Sequence, residues 1–212
     1  MERTYIFDFD GTLVDSMTSA VKVLLGYLDE RNVCYPDDIV KTIIPLGYVG
    51  IADYYVKQFS LKETPAQVYA ETVRLLKDVY AKEVMPKPEV EKTLRILKAQ
   101  GAKLNILTAS PHVFLDPCIE RLGWAELFDN MWSSDDFKLM KAKPQIYKEV
   151  AKRLDKTPQE CCMVDDNAHA LRAAKDAGLQ TIAVYDSFSA EYEREMRSFA
   201  DKYVTVFDEI VL

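Results

Sequence analysis

The 212-residue chain is poor in the residues that soft-metal and nucleic-acid chemistry require. It has two histidines and four cysteines, and no Cys-x-x-Cys spacing occurs, so the ligand patterns of structural zinc are missing. Cys34 and Cys118 are isolated, and the adjacent Cys161 and Cys162 are badly placed to pair with each other. All four read as reduced thiols of a cytoplasmic protein. Positive charge is also scarce: 27 Lys+Arg stand against 34 Asp+Glu, a formal net charge of -7. Binding nucleic acid needs clustered Lys and Arg to neutralise phosphates, so no nucleic-acid partner is expected. Nor does any run of roughly 18 uncharged apolar residues suggest a membrane span. The best stretch, AVKVLLGYL, is short and contains Lys22. The first ten residues carry Glu2, Asp8 and Asp10, unlike a signal peptide. Internal repeats and low-complexity tracts are missing as well.

What remains is an ordinary globular mix, 49% hydrophobic and 29% charged. At about 150 residues per domain, the length suits one large domain or one carrying an inserted lobe. Five β-rich runs stand out: Thr4–Phe9, Lys103–Thr108, the weaker Phe128–Ser134, Cys161–Asp165 and Thr181–Tyr185, with YVTVF near the end as a short sixth. From the second run onward they are separated by helix-length amphipathic segments: VFLDPCIERLGWAELF, PQIYKEVAKRLDK and NAHALRAAKDAGL. Strands that are apolar throughout and alternate with helices predict a parallel sheet covered on both faces. The gap between the first two strands is too long for one crossover. Residues 16–85 read as helices with breaks at 32–36, 45–50 and 60–65, a helical lobe inserted after the first strand. Within it, Pro45–Gly50 carries two glycines and suits a loop between helices.

The chemistry gathers at strand ends. Asp8 and Asp10 lie two apart after an apolar run, which in a strand puts them on one face and Phe7 and Phe9 on the other. Like charges that close raise each other's pKa unless a cation sits between them. Gly11 permits a sharp turn, and Thr12 offers a hydroxyl and an N–H to an anion. A second acidic pair, Asp165–Asp166, ends the run CCMV and is followed by Asn167 and a helix. In an open parallel sheet both ends fall on the same edge, where ligands bind. Four carboxylates without His or Cys favour a hard cation such as Mg²⁺.

These residues, in order FDFDGTLVDS, LTAS, a lysine before PQIY, and MVDDNAHALRAAKDAG, resemble the four motifs of the haloacid dehalogenase superfamily. The inserted lobe is similar to that superfamily's helical type I cap. The resemblance implies a Rossmann-like, doubly wound α/β core with strand order 3-2-1-4-5, formed by residues 1–15 plus 86–212, and a helical cap at 16–85. It implies that Asp8 attacks phosphorus, that Asp10 protonates the leaving oxygen and then activates water, and that Asp10 also turns its backbone carbonyl to the metal. An acid at position 10 disfavours dehalogenation, which needs no leaving-group proton. Thr108 matches the hydroxyl that holds a phosphoryl oxygen, with Ala109 and Ser110 beside it at a helix start, a natural anion site. Ser110 as a simple helix cap is compatible with that.

For the motif lysine, laying SSDDFKLMKAKPQIY on the family pattern without a gap selects Lys141, while the Lys-Pro dipeptide points to Lys143. Pro144, fitting a first helical position, anchors the frame that selects Lys141. Asp166 is the implied metal ligand, Asp165 its partner, and Asn167 takes a position usually held by Ser or Asn. His112 and His169 read as solvated residues, and Asp15 and Ser16 as hinge and helix cap. The implied activity is a Mg²⁺-dependent phosphatase for a small phosphorylated metabolite, such as phosphoglycolate or a sugar phosphate, working as a monomer or homodimer. A phosphomutase similar to β-phosphoglucomutase, a phosphonate hydrolase and a catalytically retired binding domain are the alternatives.

Overall fold

A computed structural model of the chain describes residues 3–211. Six parallel strands form one sheet: β1 (Thr4–Phe7), β4 (Lys103–Thr108), β5 (Asn130–Ser133), β6 (Cys161–Asp165), β7 (Gln180–Val184) and β8 (Lys202–Val204). Their spatial order is β5-β4-β1-β6-β7-β8, the expected 3-2-1-4-5 arrangement with the sixth strand added at one edge. The register places Ile6 beside Met163 and Phe7 beside Val164. Successive β1 residues serve opposite faces. Ile6 and Met163 pack with α7 (Pro144–Arg153), α8 (Ala168–Asp176) and α9 (Glu193–Phe199) through Tyr147, Val150, Leu171 and Met196. On the opposite face the Phe7 ring meets those of Phe128 and Phe207. Both faces are therefore dry, which is why these strands read as apolar throughout.

The helices are shorter than the amphipathic stretches suggest. α6 (His112–Leu122) stops where Gly123 turns left-handed at φ 67°, so the predicted segment through Phe128 is helix followed by loop. α8 ends just before Gly178, which takes the C′ position at φ 98°. α5 (Val90–Ala99) leads into β4.

The first strand also stops earlier than expected. β1 ends at Phe7, and from Phe9 the chain folds into a tight turn in which the Leu13 and Val14 N–H groups donate to the Phe9 carbonyl at 2.9 and 3.0 Å. Strand alternation therefore does not extend to Asp10, and Phe7 and Phe9 are both fully buried.

The chain divides into two compact units, Met1–Ser16 with Val84–Leu212, and Met17–Glu83. These limits differ by one or two residues from the 15/86 boundary read from the sequence. Two short strands, β2 (Val14–Asp15) and β3 (Met85–Pro86), pair antiparallel and draw the returning chain into the first unit. Two-residue strands leave no period to read.

The second unit holds α1 (Met17–Asp29), α2 (Ile39–Ile43), α3 (Gly47–Phe59) and α4 (Pro65–Lys82) around its own core, which includes Leu24, Tyr27, Ile43, Tyr55 and Val68. α4 begins in a capping box between Thr64 and Gln67. The expected loop at 45–50 is a correction: a 3₁₀ turn over Ile44–Leu46 runs directly into α3, whose first turn contains Gly47 and Gly50. Gly47 alone, at φ 65°, makes the bend, so the second glycine needs no loop.

Candidate active site

The site assembles where β1, β4 and β6 end side by side. Parallel pairing brings Phe7 level with Val164 and Ile106, so the residues that follow emerge at one edge. The Asp8 N–H donates to the Val164 carbonyl at 2.8 Å, which fixes the Asp8 backbone beside Asp165. Oxygen atoms of Asp8, Asp165 and Asp166 then lie within 4.8 Å of one another.

Lys141 comes from the loop before α7. Its Nζ donates to Asp8 Oδ1 at 2.5 Å and pairs with Asp165 Oδ2 at 2.7 Å. Tyr147, one turn into α7, donates its hydroxyl to the Lys141 carbonyl at 2.8 Å and holds that backbone in place. Pro144 takes the first position of α7 with Lys143 as the cap residue, and Lys143 is exposed. Of the two lysines the sequence offered, the structure brings only Lys141 to the carboxylates.

One buried ammonium pairs with two of three clustered carboxylates, and the titration behaviour follows. Burial pushes the Asp8 carboxyl well above its usual range; Lys141 pulls it down, while Asp165, Asp166 and Asp10 push it further up. Burial works against the Lys141 ammonium, but Asp165 and Asp8 outweigh it and hold it protonated above its usual range. Asp166 is pushed up to about 7 by burial, then by Asp165 and Asp186. Excess negative charge in a low-dielectric crevice raises every one of these groups.

Asp166 accepts from the Thr12 hydroxyl at 2.8 Å. Thr12 sits in the turn led by Gly11, whose φ is 76°. A Cβ on Gly11 would stand 2.7 Å from Asp166 Oδ2, so glycine is needed here both for its backbone and for the space. Asp165 Oδ1 accepts from the Asn167 N–H at 2.8 Å, and the Asn167 side chain in turn caps α8 through the His169 and Ala170 N–H groups.

Asp10 is turned elsewhere. Its carboxylate accepts from Ser16 and Ser110 hydroxyls, each at 2.6 Å, and from Thr108 at 3.4 Å. Thr108 Oγ1 also accepts from the Ser110 N–H at 3.0 Å, which tightens the loop after β4. Ser110 is thus bound to Asp10, and Pro111 caps α6 without a side-chain bond. Ala109 is exposed. The predicted residues form two adjoining sets: carboxylates with one lysine, and Asp10 with three hydroxyls.

His112 is more engaged than its sequence context suggested. Nδ1 lies 2.8 Å from Asp116 and Nε2 2.9 Å from Asp136, and these two carboxylates raise its pKa. His169 is exposed, with its ring edge-on to Tyr192. Sequence reasoning missed Lys87 and Asp186, which pair at 3.0 Å beside the Gly11 turn. A lysine between two prolines carries no motif that would have marked it.

As a donor set, three clustered carboxylates and no nitrogen or sulfur suit a hard, oxygen-loving cation. Lys141 already serves Asp8 and Asp165, while Asp166 has only the Thr12 hydroxyl as its described hydrogen-bond donor. The residues present therefore fit a metal ion. The Asp10 carboxylate is outside that cluster.

Known proteins resemble the chain over most of its length. A family model described as haloacid dehalogenase-like hydrolase matches residues 2–178. The phosphoglycolate phosphatase of Psychrobacter arcticus is 26% identical over 207 residues, covering 92% of this chain and 88% of that protein. The pyrophosphatase PpaX of Bacillus cereus is 27% identical over 184 residues, with 86% and 82% covered. Among solved structures, beta-phosphoglucomutase from Clostridium difficile superposes with a TM-score of 0.75 at 20% identity, covering 99% of this chain and 93% of that one. That likeness is one of fold.

Proposed function

Since the chain belongs to the haloacid dehalogenase-like hydrolase family, we propose that it is a Mg²⁺-dependent phosphatase that cleaves a small phosphorylated metabolite through an aspartyl-phosphate. The observation that carries this reading is the pairing of Asp8 with Lys141 at a strand end, beside a second carboxylate, Asp10, held by three hydroxyls.

Asp8 serves as nucleophile: a carboxylate oxygen bonds to phosphorus while the ester P–O bond breaks. Asp10 gives its proton to the departing oxygen, then accepts one from the water that attacks phosphorus. That second attack breaks the bond to Asp8, and inorganic phosphate leaves. Thr108, Ser110 and the Ala109 and Thr12 N–H groups suit the phosphoryl oxygens. Lys141 keeps Asp8 oriented and offsets charge that spreads over the transferring group. Asp8, Asp165 and Asp166 would hold Mg²⁺, with Asp10 contributing its backbone carbonyl. When bound, the ion supplies positive charge beside the reacting phosphoryl oxygens.

The unit Met17–Glu83 is read as the cap that selects small substrates and excludes bulk water, and the setting as the cytoplasm. No described helix is long and apolar enough to cross a membrane. A phosphomutase is the second reading, and the fold likeness to beta-phosphoglucomutase favours it. Against it, both histidines, His112 and His169, lie outside Met17–Glu83, leaving no cap histidine for acid–base transfer.

The test is phosphate release from a panel of phosphorylated metabolites, with Mg²⁺ or chelator, by the unaltered protein and Asp8→Asn. Mg²⁺-dependent release that falls by about 10³-fold or more in the variant is expected, since removing a nucleophile abolishes its step. Release by Asp8→Asn at the unaltered rate would remove Asp8 from this role. Isomerised substrate without free phosphate would select the mutase.

A further inference from the structure

Lys87 lies immediately after β3, and its Nζ has three acceptors. It donates to the Gly11 carbonyl at 2.6 Å, the Tyr185 carbonyl at 2.7 Å and Asp186 Oδ2 at 3.0 Å. An ammonium has three protons, and all are used. Its backbone N–H donates to the Leu13 carbonyl at 3.0 Å. One residue thus ties together the turn after β1, the end of β7 and the segment entering α5.

The same turn also faces Asp166. The Gly11 Cα leaves no room for a Cβ against that carboxylate, and the buried Thr12 donates to it. The Gly11–Thr12 turn is therefore held by Lys87 at the Gly11 carbonyl and contacts the Asp166 side chain through Thr12 and the Gly11 Cα. Asp186 secures the lysine: it is buried, and its other oxygen accepts from the Phe188 N–H at 2.9 Å. Charge-assisted hydrogen bonds to several fixed acceptors restrict the orientation of the ammonium that makes them.

We propose that Lys87 is a positioning residue for Mg²⁺: by fixing the Gly11 carbonyl, it keeps Thr12 and Asp166 in the arrangement that accepts the ion. This rests on the metal-dependent reading above and extends it to a residue outside the motifs.

Charge and position act here with opposite signs, which makes the proposal testable. An ammonium near the carboxylates repels a dication. If charge alone mattered, removing it would tighten Mg²⁺ binding. If Lys87 acts by holding the turn, its removal loosens binding.

The experiment is calorimetric titration of Mg²⁺ without substrate, with kcat and KM for phosphate release and circular dichroism in parallel. Lys87→Met is expected to raise the Mg²⁺ half-saturation at least fivefold and to lower kcat at subsaturating Mg²⁺, with KM for the phosphoester within twofold. Lys87→Arg keeps the charge, but its planar fork does not match three converging acceptors, so it should raise the half-saturation too and serves if Lys87→Met does not fold. An unchanged or lowered half-saturation in a folded variant overturns the assignment. No Mg²⁺ response in the unaltered protein overturns the proposed function together with it, and so separates the two failures.

Discussion

At the scale of single residues, two lysines two positions apart have opposite fates. Pro144 begins α7, so Lys143 is its cap residue and points to solvent, while Lys141 reaches Asp8 and Asp165. Removing one member of a buried ion cluster leaves uncompensated charge and costs about 3–5 kcal/mol. Lys141→Met is therefore expected to lower Tm by several degrees in chelator, with part of the loss restored by Mg²⁺. Its phosphate release should fall by about 10²-fold or more, as for other donors aimed at a reacting oxyanion. Lys143→Met should leave both within experimental scatter. Thermal melts in chelator and in Mg²⁺, with phosphate-release assays, check both variants. The Pro144 frame made Lys141 legible in the sequence. Lys87 was not legible, because its importance comes from three acceptors, on residues 11, 185 and 186, that only the folded chain brings together.

At the scale of elements, the start of α6 is tied to the 3₁₀ turn Ser134–Phe137 by His112, which bridges Asp116 on its own helix and Asp136 on that turn. Both partners favour the charged imidazole, Asp116 first, and the folded-state pKa lies above the ordinary 6.5. A raised pKa means the link stabilises fully below about pH 6.5 and is lost as pH rises through the folded value. Asp116→Asn should lower the His112 pKa, read as imidazole chemical shifts over a pH titration. It should also flatten the fall in Tm across that window. The same elements show what periodicity conveys. α7 and α8 are legible from apolar spacing, and α7 also from Pro144 at its first position. The end of β1 was misread, because a run of the form Phe-Asp-Phe-Asp alternates like a strand while the backbone has already begun to turn at Phe9.

At the scale of the molecule, the two units have separate cores. The chain leaves and re-enters the first unit through paired neighbours, Asp15 opposite Met85. Adjacent ends can be joined by a short loop at small entropic cost. A chain in which 17–83 is replaced by about four Gly/Ser residues should therefore keep the α/β sheet. Circular dichroism and cooperative melting would show this. Mg²⁺ binding should persist, since Asp8, Asp165, Asp166, Gly11, Thr12 and Lys87 all lie in the remaining unit. Discrimination among phosphoesters should weaken, checked by comparing kcat/KM across the substrate panel. Loss of the sheet on excision would show that the first unit depends on the second.

The sequence by itself, apart from the strand order that its family resemblance implied, determined the α/β class, the inserted helical unit and the residues gathered at the strand ends. Each of these is written in local terms: apolar runs that only a doubly covered strand can bury, Gly and Pro at element ends, and carboxylates where those runs stop. The tertiary structure decided how the gathered groups divide. It clustered Asp8, Asp165 and Asp166, paired the first two with Lys141, turned Asp10 to Ser16 and Ser110, and bound Lys87 to the Gly11 carbonyl. These groups come from distant parts of the chain, as does the hydrogen bond from Thr12 to Asp166 across 154 positions. Side-chain direction after a strand end depends on the turn that follows and on neighbours brought from elsewhere, and local spacing encodes neither.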